Sequence, residues 1–473
     1  VASFYIQNFG CRATQADGAA IEHQFAERGV ERASGPEQAQ IVVLNTCTVT
    51  AAADQDARAA IRRIRRENPD CQILVTGCYA QRAPEEVAEL PGVTWVVGNS
   101  HKQSVADVAL SAAAKAGSSF DGHSARRKAC PDTSAPHRSF VPVGALTTEN
   151  RELGTGNRVF VSDIFAHTEL LAAPVFDAAN ERTRPNLKVQ DGCDSRCSFC
   201  VIPYVRGQSR SLRPEQVICE VDTLVAAGYR EVVISGINLG RWGRDFQKPL
   251  HFEDLLSTIL GRTSLEKLRI SSVEPMDWSD RLIELVADSP RIAKHAHVPM
   301  QSGSDRVLRA MHRKYRSWHY REKIQKIRAA MPAAAIGADA MVGFPGETDS
   351  DFEETRSMIE ELPFTYLHVF TYSSRPGTPA AALPNQVPVA VARERNRVLR
   401  ALAERKNLAF MRSFVGKSIP AITLNVFDGE RTEALTDNYL KMHLRGSHEP
   451  NRWVSAQVQQ VSGGALVGTP SVL

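Results

Sequence analysis

Three cysteines crowd one short segment of this chain. Asp191-Gly-Cys-Asp-Ser-Arg-Cys-Ser-Phe-Cys200 sets Cys193, Cys197 and Cys200 in a CxxxCxxC spacing, directly after an apolar run that reads as a strand. Three thiolates on one tight loop can hold three irons of a cubane cluster and leave the fourth iron open to another ligand. Structural zinc wants four ligands, and no fourth partner stands at zinc-finger spacing. The alternative is an irregular zinc knuckle or spare core thiols.

A second set of cysteines is spread over the first hundred residues. Cys11 sits in NFGCRATQ, Cys47 in NTCTVT and Cys78 in TGCYAQ, and each follows a predicted strand. In a parallel sheet the carboxyl ends of the strands share one edge, so the three loops can converge there and bind a second cluster with one open iron. Buried core thiols are the competing reading. Cys71, Cys130 and Cys219 are not expected to be ligands.

The elements that must position these residues follow from apolar patterning. Predicted strands Ser3–Asn8, Ile41–Leu44, Gln72–Thr76 and Thr94–Val97 alternate with helices Asp17–Arg28, Asp54–Glu67 and Pro84–Glu89, which argues for a small parallel α/β sheet. Residues 112–157, rich in Ala, Gly, Ser, Thr and Pro, read as a mobile linker or insertion. Leu187–Gln190, Glu231–Ser235, Lys267–Ser271, Ala296–Pro299, Ala335–Met341 and Tyr366–Phe370 read as strands of a full or partial parallel barrel. Ile419–Asn425, Thr432–Asp437, Lys441–Leu444 and Val454–Val461 suit a small antiparallel barrel. The expected domains are therefore 1–111, a linker 112–157, 158–411 and 412–473.

With 473 residues, 43% hydrophobic and 23% charged, the chain is neither disordered nor fibrous. No run of about 18 apolar residues marks a membrane span. The first residues lack a signal-peptide pattern, and nine cysteines are too sparse for a disulfide scaffold, so a reducing, cytoplasmic setting is expected. Neither a Ser-His-Asp arrangement nor a phosphate-binding P-loop is visible.

CxxxCxxC ahead of a (βα)-type barrel resembles the radical S-adenosylmethionine (SAM) superfamily. Combined with NFGCRATQ, NTCTVT and TGCYAQ, the chain resembles the methylthiotransferase family within it, over most of its length except 112–157. The resemblance implies two 4Fe-4S clusters and SAM as cofactors. Cys193, Cys197 and Cys200 would be the catalytic ligands of the cluster that cleaves SAM to a 5′-deoxyadenosyl radical. Cys11, Cys47 and Cys78 would bind the auxiliary cluster that carries the sulfur. Later barrel words, ISGINLGRWG, RISSVEP, HVPMQSGSDRVLRAMHRKY and ADAMVGFPGET, fall at strand ends, where a barrel builds its site. Ser235, Gly236, Asn238, Ser272, Gln301 and Ser302 are the expected SAM contacts. Members of the superfamily often place a Gly-Gly-Glu-like turn at the second strand, whereas Ser235-Gly236-Ile237-Asn238 here has no acid.

The net charge is only +4, yet the basic residues cluster. Arg306–Arg328 holds nine Lys and Arg against one acid, Arg393–Lys417 holds eight against two, and Arg58, Arg62, Arg63, Arg65 and Arg66 share one helix. Such patches suit phosphate contacts. The tail, with TDNYL and GALVG, resembles the TRAM domain, a small RNA-binding barrel of tRNA-modifying enzymes. Three branches of the family act on isopentenyladenosine in tRNA, on threonylcarbamoyladenosine in tRNA, and on an aspartate of a ribosomal protein. NTCTVT, the Arg-rich helix, ISGINLGRWG and RISSVEP resemble the second branch. That implies addition of a methylthio group to C2 of N6-threonylcarbamoyladenosine 37. The implied partners are the tRNA anticodon stem-loop, an electron donor such as flavodoxin or ferredoxin, and a sulfur or cluster supply system, with no membrane. An RNA-binding protein with structural metal sites is the non-enzymatic alternative.

Overall fold

The run Ile41–Thr46 is buried along its whole length, as a strand covered on both faces of a parallel sheet must be. The computed structural model describes residues 2–115, 150–152, 158–167, 170 and 183–470, and the chain divides into two units. The first consists of Val1–Val175, Asp191–Ser195 and Cys200–Leu212. In it, β1 (Ser3–Asn8), β2 (Glu31–Arg32), β3 (Ile41–Thr46), β4 (Gln72–Gly77), β5 (Val93–Gly98), β6 (Asn150–Glu152) and β7 (Arg158–Phe160) form one sheet, ordered β2-β1-β3-β4-β5-β7-β6. Only the β6–β7 pair is antiparallel.

Alternation along β3 feeds two cores. Val42 and Leu44 pack with Ala57, Ile61 and Ile64 of helix α2 (Ala51–Glu67), together with α3 (Cys78–Arg82) and α4 (Pro84–Ala88). Ile41 and Val43 pack on the other face with Ile21 and Phe25 of α1 (Arg12–Glu27) and Val105 of α5 (Val105–Lys115). The unit also takes in Asp191, the last residue of β8 (Asn186–Asp191), then α6 (Ile202–Arg206) and β9 (Arg210–Ser211).

Two expected boundaries shift. Residues 158–160, expected to open the second domain, instead extend the first sheet. Arg158–Phe160 pairs with Trp95–Val97, which satisfies the outer edge of β5, and its Val159 and Phe160 join the two cores. Helix α5 continues to Lys115, into the stretch expected to be linker. Most of 112–157, Cys130 included, lies outside the described residues.

The second unit comprises Phe176–Gln190, Arg196–Phe199 and Arg213–Leu473. Helices α7 (Pro214–Ala226), α8 (Phe252–Arg262), α9 (Asp280–Asp288), α10 (Asp305–Ala310), α11 (Ser317–Ala330), α12 (Asp349–Glu361) and α13 (Val389–Arg412) accompany β10 (Glu231–Gly236), β11 (Lys267–Ile270), β12 (His295–His297), β13 (Ala335–Val342) and β14 (Tyr366–Thr371). The order β11-β10-β8 and the order β12-β13-β14 are both parallel, and bridges Leu268↔Ile292 and Ser272↔His297 join them. This is the partial barrel expected from the strand pattern, with every carboxyl end on one rim.

Five further strands, β15 (Ser418–Phe427), β16 (Arg431–Thr436), β17 (Lys441–Arg445), β18 (Trp453–Ser462) and β19 (Ala465–Pro470), close into a small barrel. It is antiparallel except for β17–β19, which runs parallel. Its TDNYL turn has a structural task. Tyr439 stacks against His295 at 4.5 Å and Tyr366 at 5.7 Å, and the Asn438 amide donates to the Ala333 carbonyl at 3.0 Å. Arg269 donates to the carbonyls of Thr436 and Asp437. The turn thus caps the amino-terminal end of the parallel strands, which start at Glu231, His295 and Ala335.

Below that cap, Arg269 grips the fully buried Glu231 through Nε at 2.7 Å and Nη2 at 3.2 Å, with Arg184 adding a third contact at 3.3 Å. Burial opposes ionisation of Glu231, yet the two guanidinium groups hold its carboxyl below the usual range. Arg269→Met should leave that charge under-compensated and cost about 3–5 kcal/mol in urea unfolding of the full chain. The paired change Arg269→Met with Glu231→Leu should cost less than the single one.

Candidate active site

The first thiol set is positioned by three laterally adjacent strands. Cys11 follows β1, Cys47 follows β3 and Cys78 follows β4, and β1-β3-β4 are neighbours in the sheet. The register aligns their ends, with Asn8 opposite Asn45 and Thr46 opposite Gly77. Neighbouring strands lie about 4.8 Å apart, so loops leaving them at one edge are forced together. Two glycines make the approach possible. A Cβ on Gly10 (φ 98°) would lie 2.6 Å from the Cys47 Cβ and 2.9 Å from its Sγ, and one on Gly77 (φ 96°) would lie 2.3 Å from the Thr46 carbonyl.

The three thiols sense one another. Burial, reinforced by Cys78 and Cys11, pushes the Cys47 thiol up to about 11. Cys47 and Cys78 are buried and Cys11 is exposed. The Cys11 Sγ lies 3.7 Å from the Thr14 hydroxyl, the Val49 N–H reaches the Cys47 Sγ at 3.5 Å, and the Asn99 amide reaches the Cys78 Sγ at 3.6 Å. Three sulfur donors with mutual repulsion, on one sheet edge, fit an iron–sulfur cluster bound through three of its irons.

Beside them runs a buried ionic network that sequence reasoning did not single out. Arg206 binds Asp17 through Nη2 at 2.6 Å and both oxygens of Asp191 through Nη1 at 2.8 and 2.9 Å. Lys102 donates to the same Asp17 oxygen at 2.7 Å. The only signals were the words DGC and VIPYVRGQ, which contain Asp191 and Arg206. The same unit holds Cys193, whose N–H donates to the Gly207 carbonyl at 3.0 Å, and Cys200. A Cβ on Gly192 would lie 1.9 Å from the Gln208 carbonyl, so the approach to Cys193 lies tight against the segment after Cys200.

Cys197 belongs to the second unit. The Ser198 N–H and hydroxyl donate to the carbonyls of Met311 and Ala310 at 3.1 and 2.7 Å, and Phe199 packs with Val307, Met311, Phe344 and Ala380. Arg313 donates to the Cys197 Sγ at 3.3 Å and also pairs with Glu274. Burial works against the Arg313 charge, but Tyr315, Glu274 and Cys197 hold it well above its ordinary range. The Cys197 sulfur thus has a permanently charged guanidinium as its hydrogen-bond donor.

Of the expected SAM contacts, Ser235 and Gly236 end β10, with Asn238 two residues on, and Ser272 and Gln301 follow β11 and β12 on the same rim. The Ser235 hydroxyl is buried with no hydrogen-bond partner among the described residues, which suits an amine or carboxylate ligand. Gln301 adopts a left-handed φ of 66°. Ser302 is placed differently. Its hydroxyl lies 3.2 Å from that of Thr355 and accepts from the Ser304 N–H at 3.1 Å, which ties the loop to α12. On the same strands His297 and His368 each approach Asp339 Oδ1 at 3.3 Å. The ligand atoms of this trio lie within 4.8 Å of one another, close enough for one divalent cation, although the two ion pairs alone account for the arrangement.

The basic stretches are more neutral than their composition. In Arg306–Arg328, Arg306 pairs with Asp351, Arg313 with Glu274, Arg321 with Glu361 and Lys326 with Asp280, while Arg328 donates to main-chain carbonyls. Arg395, Arg397 and Arg405 are likewise paired with carboxylates. On α2, Arg62, Arg63 and Arg66 are exposed.

A CxxxCxxC segment entering an open parallel barrel defines a radical SAM enzyme, and residues 187–359 match the Radical SAM superfamily. Residues 3–98, which hold the other three cysteines, match a family described as "Uncharacterized protein family UPF0004". The chain is 36% identical over 454 residues to threonylcarbamoyladenosine tRNA methylthiotransferase MtaB of Bacillus subtilis (strain 168), spanning 95% of this chain and 92% of that one. It is 32% identical over 476 residues to the tRNA-2-methylthio-N(6)-dimethylallyladenosine synthase of Novosphingobium aromaticivorans, spanning 98% and 93%. In fold it is similar to the radical S-adenosylmethionine methyltransferase TsrM of Kitasatospora setae, with a TM-score of 0.54 at 14% identity over 80% of this chain and 75% of that one. The chain belongs to the MtaB family of radical SAM methylthiotransferases.

Burial opposes ionisation of Asp339, but His297 and His368 hold its carboxyl well below the usual range. A carboxyl depressed in the folded state adds stability above its unfolded pKa of about 4, and that stability fades as pH falls towards the folded value. Urea unfolding of Asp339→Asn should therefore fall short of the parent at pH 7, with the gap closing as the pH is taken below about 4.

Proposed function

We propose that this chain adds a methylthio group to C2 of N6-threonylcarbamoyladenosine 37 in tRNA. The observation that carries the reading is the convergence of Cys11, Cys47 and Cys78 at one edge of β1-β3-β4 in a chain that also carries Cys193, Cys197 and Cys200. The 36% identity to an MtaB enzyme over nearly the whole chain supports the substrate.

Cys193, Cys197 and Cys200 would hold one 4Fe-4S cluster, and Cys11, Cys47 and Cys78 the other. When bound, these groups supply the electron that cleaves SAM to a deoxyadenosyl radical and the sulfur that a second SAM methylates. The protein's own residues bind and orient. Arg313 would hold the Cys197 sulfur in place through its hydrogen bond. Ser235, Gly236, Asn238, Ser272 and Gln301 line the strand ends where SAM would sit. Arg62 and Arg66, exposed on α2, could meet phosphate or the substrate's own carboxylate, since Arg pairs well with both, whereas Arg63 already meets Gln7 and Glu67. Among the described residues no helix is long and apolar enough to cross a membrane. The tRNA anticodon stem-loop would be the macromolecular partner, with a flavodoxin- or ferredoxin-like donor and a sulfur supply system serving the clusters.

Mass spectrometry of nucleosides in total tRNA from a strain lacking the gene, with and without its return, tests this reading. Loss and return of 2-methylthio-threonylcarbamoyladenosine is the expected result. Loss of the isopentenyl form instead would keep the reaction and overturn the substrate. No change in any methylthio nucleoside would point to a ribosomal-protein aspartate. In purified enzyme, Cys197→Ala should abolish deoxyadenosine production, while Cys47→Ala should preserve it and abolish methylthiolation.

A further inference from the structure

Arg206 is 2% exposed, with Nη1 donating to both oxygens of Asp191 and Nη2 donating to Asp17. Its Nε–H donor is buried with no hydrogen-bond partner among the described residues. A buried guanidinium donor left unpaired is costly, and native structures rarely leave one so. Neighbouring residues lead from it to the cysteine sulfurs. Val205, the preceding residue, shares a buried cluster with Cys78, and the Asn99 amide bridges the Val205 carbonyl at 2.7 Å and the Cys78 Sγ at 3.6 Å. Asp17, which anchors Arg206, sits on α1, whose first turn is entered through Cys11. The Arg206 charge acts on Cys11, Cys47 and Cys78 alike.

We infer that Arg206 is a positioning residue of the auxiliary centre, donating its free Nε–H to a sulfur of the cluster held by Cys11, Cys47 and Cys78. The inference rests on the proposed function in requiring that cluster. Two carboxylates fix the guanidinium, so the donor is set before the cluster arrives. Lys102 shares Asp17, and the network of two cations and two carboxylates is balanced without the thiolates. A hydrogen bond to a cluster sulfur withdraws electron density and raises the reduction potential. It also marks which sulfur is least available for transfer. Because Asp191 stands two residues before Cys193 and Arg206 six after Cys200, the same side chain ties the auxiliary centre to both flanks of the radical loop in sequence.

The test uses the full chain carrying Cys197→Ala, since Arg313 donates to Cys197 and would give an arginine signal of its own at the radical cluster. The protein is grown with arginine labelled with 15N in the guanidinium, reconstituted with iron and sulfide, reduced, and examined by pulsed electron paramagnetic resonance. The expected result is a 15N coupling at the remaining cluster. Arg206→Lys should lose that coupling while keeping iron, and its midpoint potential should move lower. Arg12→Lys, the control beside Cys11, should keep the coupling. Absence of 15N coupling in the labelled parent overturns the inference without any Arg206 variant. So does its survival in a folded, iron-loaded Arg206→Lys protein. Should the lysine variant fail to retain iron, the control decides: coupling lost in Arg12→Lys overturns the inference, and coupling kept supports it. If the Cys197→Ala parent binds no iron at all, it is the proposed function that fails, and the inference falls with it.

Discussion

Holding Cys11, Cys47 and Cys78 close together is electrostatically unfavourable once they ionise, and much of the first unit is arranged around that constraint. A parallel sheet resolves the geometry, because neighbouring strands must deliver their following loops to one edge at strand spacing. Glycine at positions 10 and 77 lets the loops approach more closely than a side chain would allow. Arg206 and Lys102, paired with Asp17 and Asp191, form a charge-balanced buried network in the same unit. Burial, reinforced by Cys78 and Cys11, pushes the Cys47 thiol up.

The second unit meets a different requirement, a rim of strand ends rigid enough to orient a small cofactor. Its parallel strands are anchored at the opposite end by Arg269, Glu231 and the TDNYL turn of the small barrel. The TDNYL turn, one of the two words that carry the resemblance to a TRAM domain, thus serves as a structural cap. Whatever nucleic acid the small barrel contacts must meet other parts of its surface. The ion pairs along α11 and α13 sharpen this point. Arginine clusters in sequence are opposed by glutamates and aspartates from other helices, so the charge available to phosphate is smaller and more localised than the count implies.

Strands were legible in the sequence wherever an apolar run had to be buried on one or both faces. Ile41, Gln72, Glu231, Lys267, Ala335 and Tyr366 each begin a strand where the pattern placed it. Both cysteine sets were legible because each word follows such a strand. Short elements were not, since β2, β6, β7 and β9 are too brief to carry a period. Ion pairs between distant segments were also hidden: Arg206 with Asp17, Arg313 with Glu274 and Arg269 with Glu231 depend on the fold alone. The Ser302 contact with Thr355 was not legible, because the two residues lie 53 apart in sequence.

The central claim is that one chain carries two separate three-thiolate sites. Iron and acid-labile sulfide analysis with Mössbauer spectroscopy on the anaerobically reconstituted full chain tests it most directly, in the parent and in a variant with Cys11, Cys47 and Cys78 all changed to Ala. The account predicts roughly eight irons per parent chain, all in cubane clusters, and roughly four in the variant. A parent chain holding about four irons, or a variant that keeps the parent's full count, would contradict it.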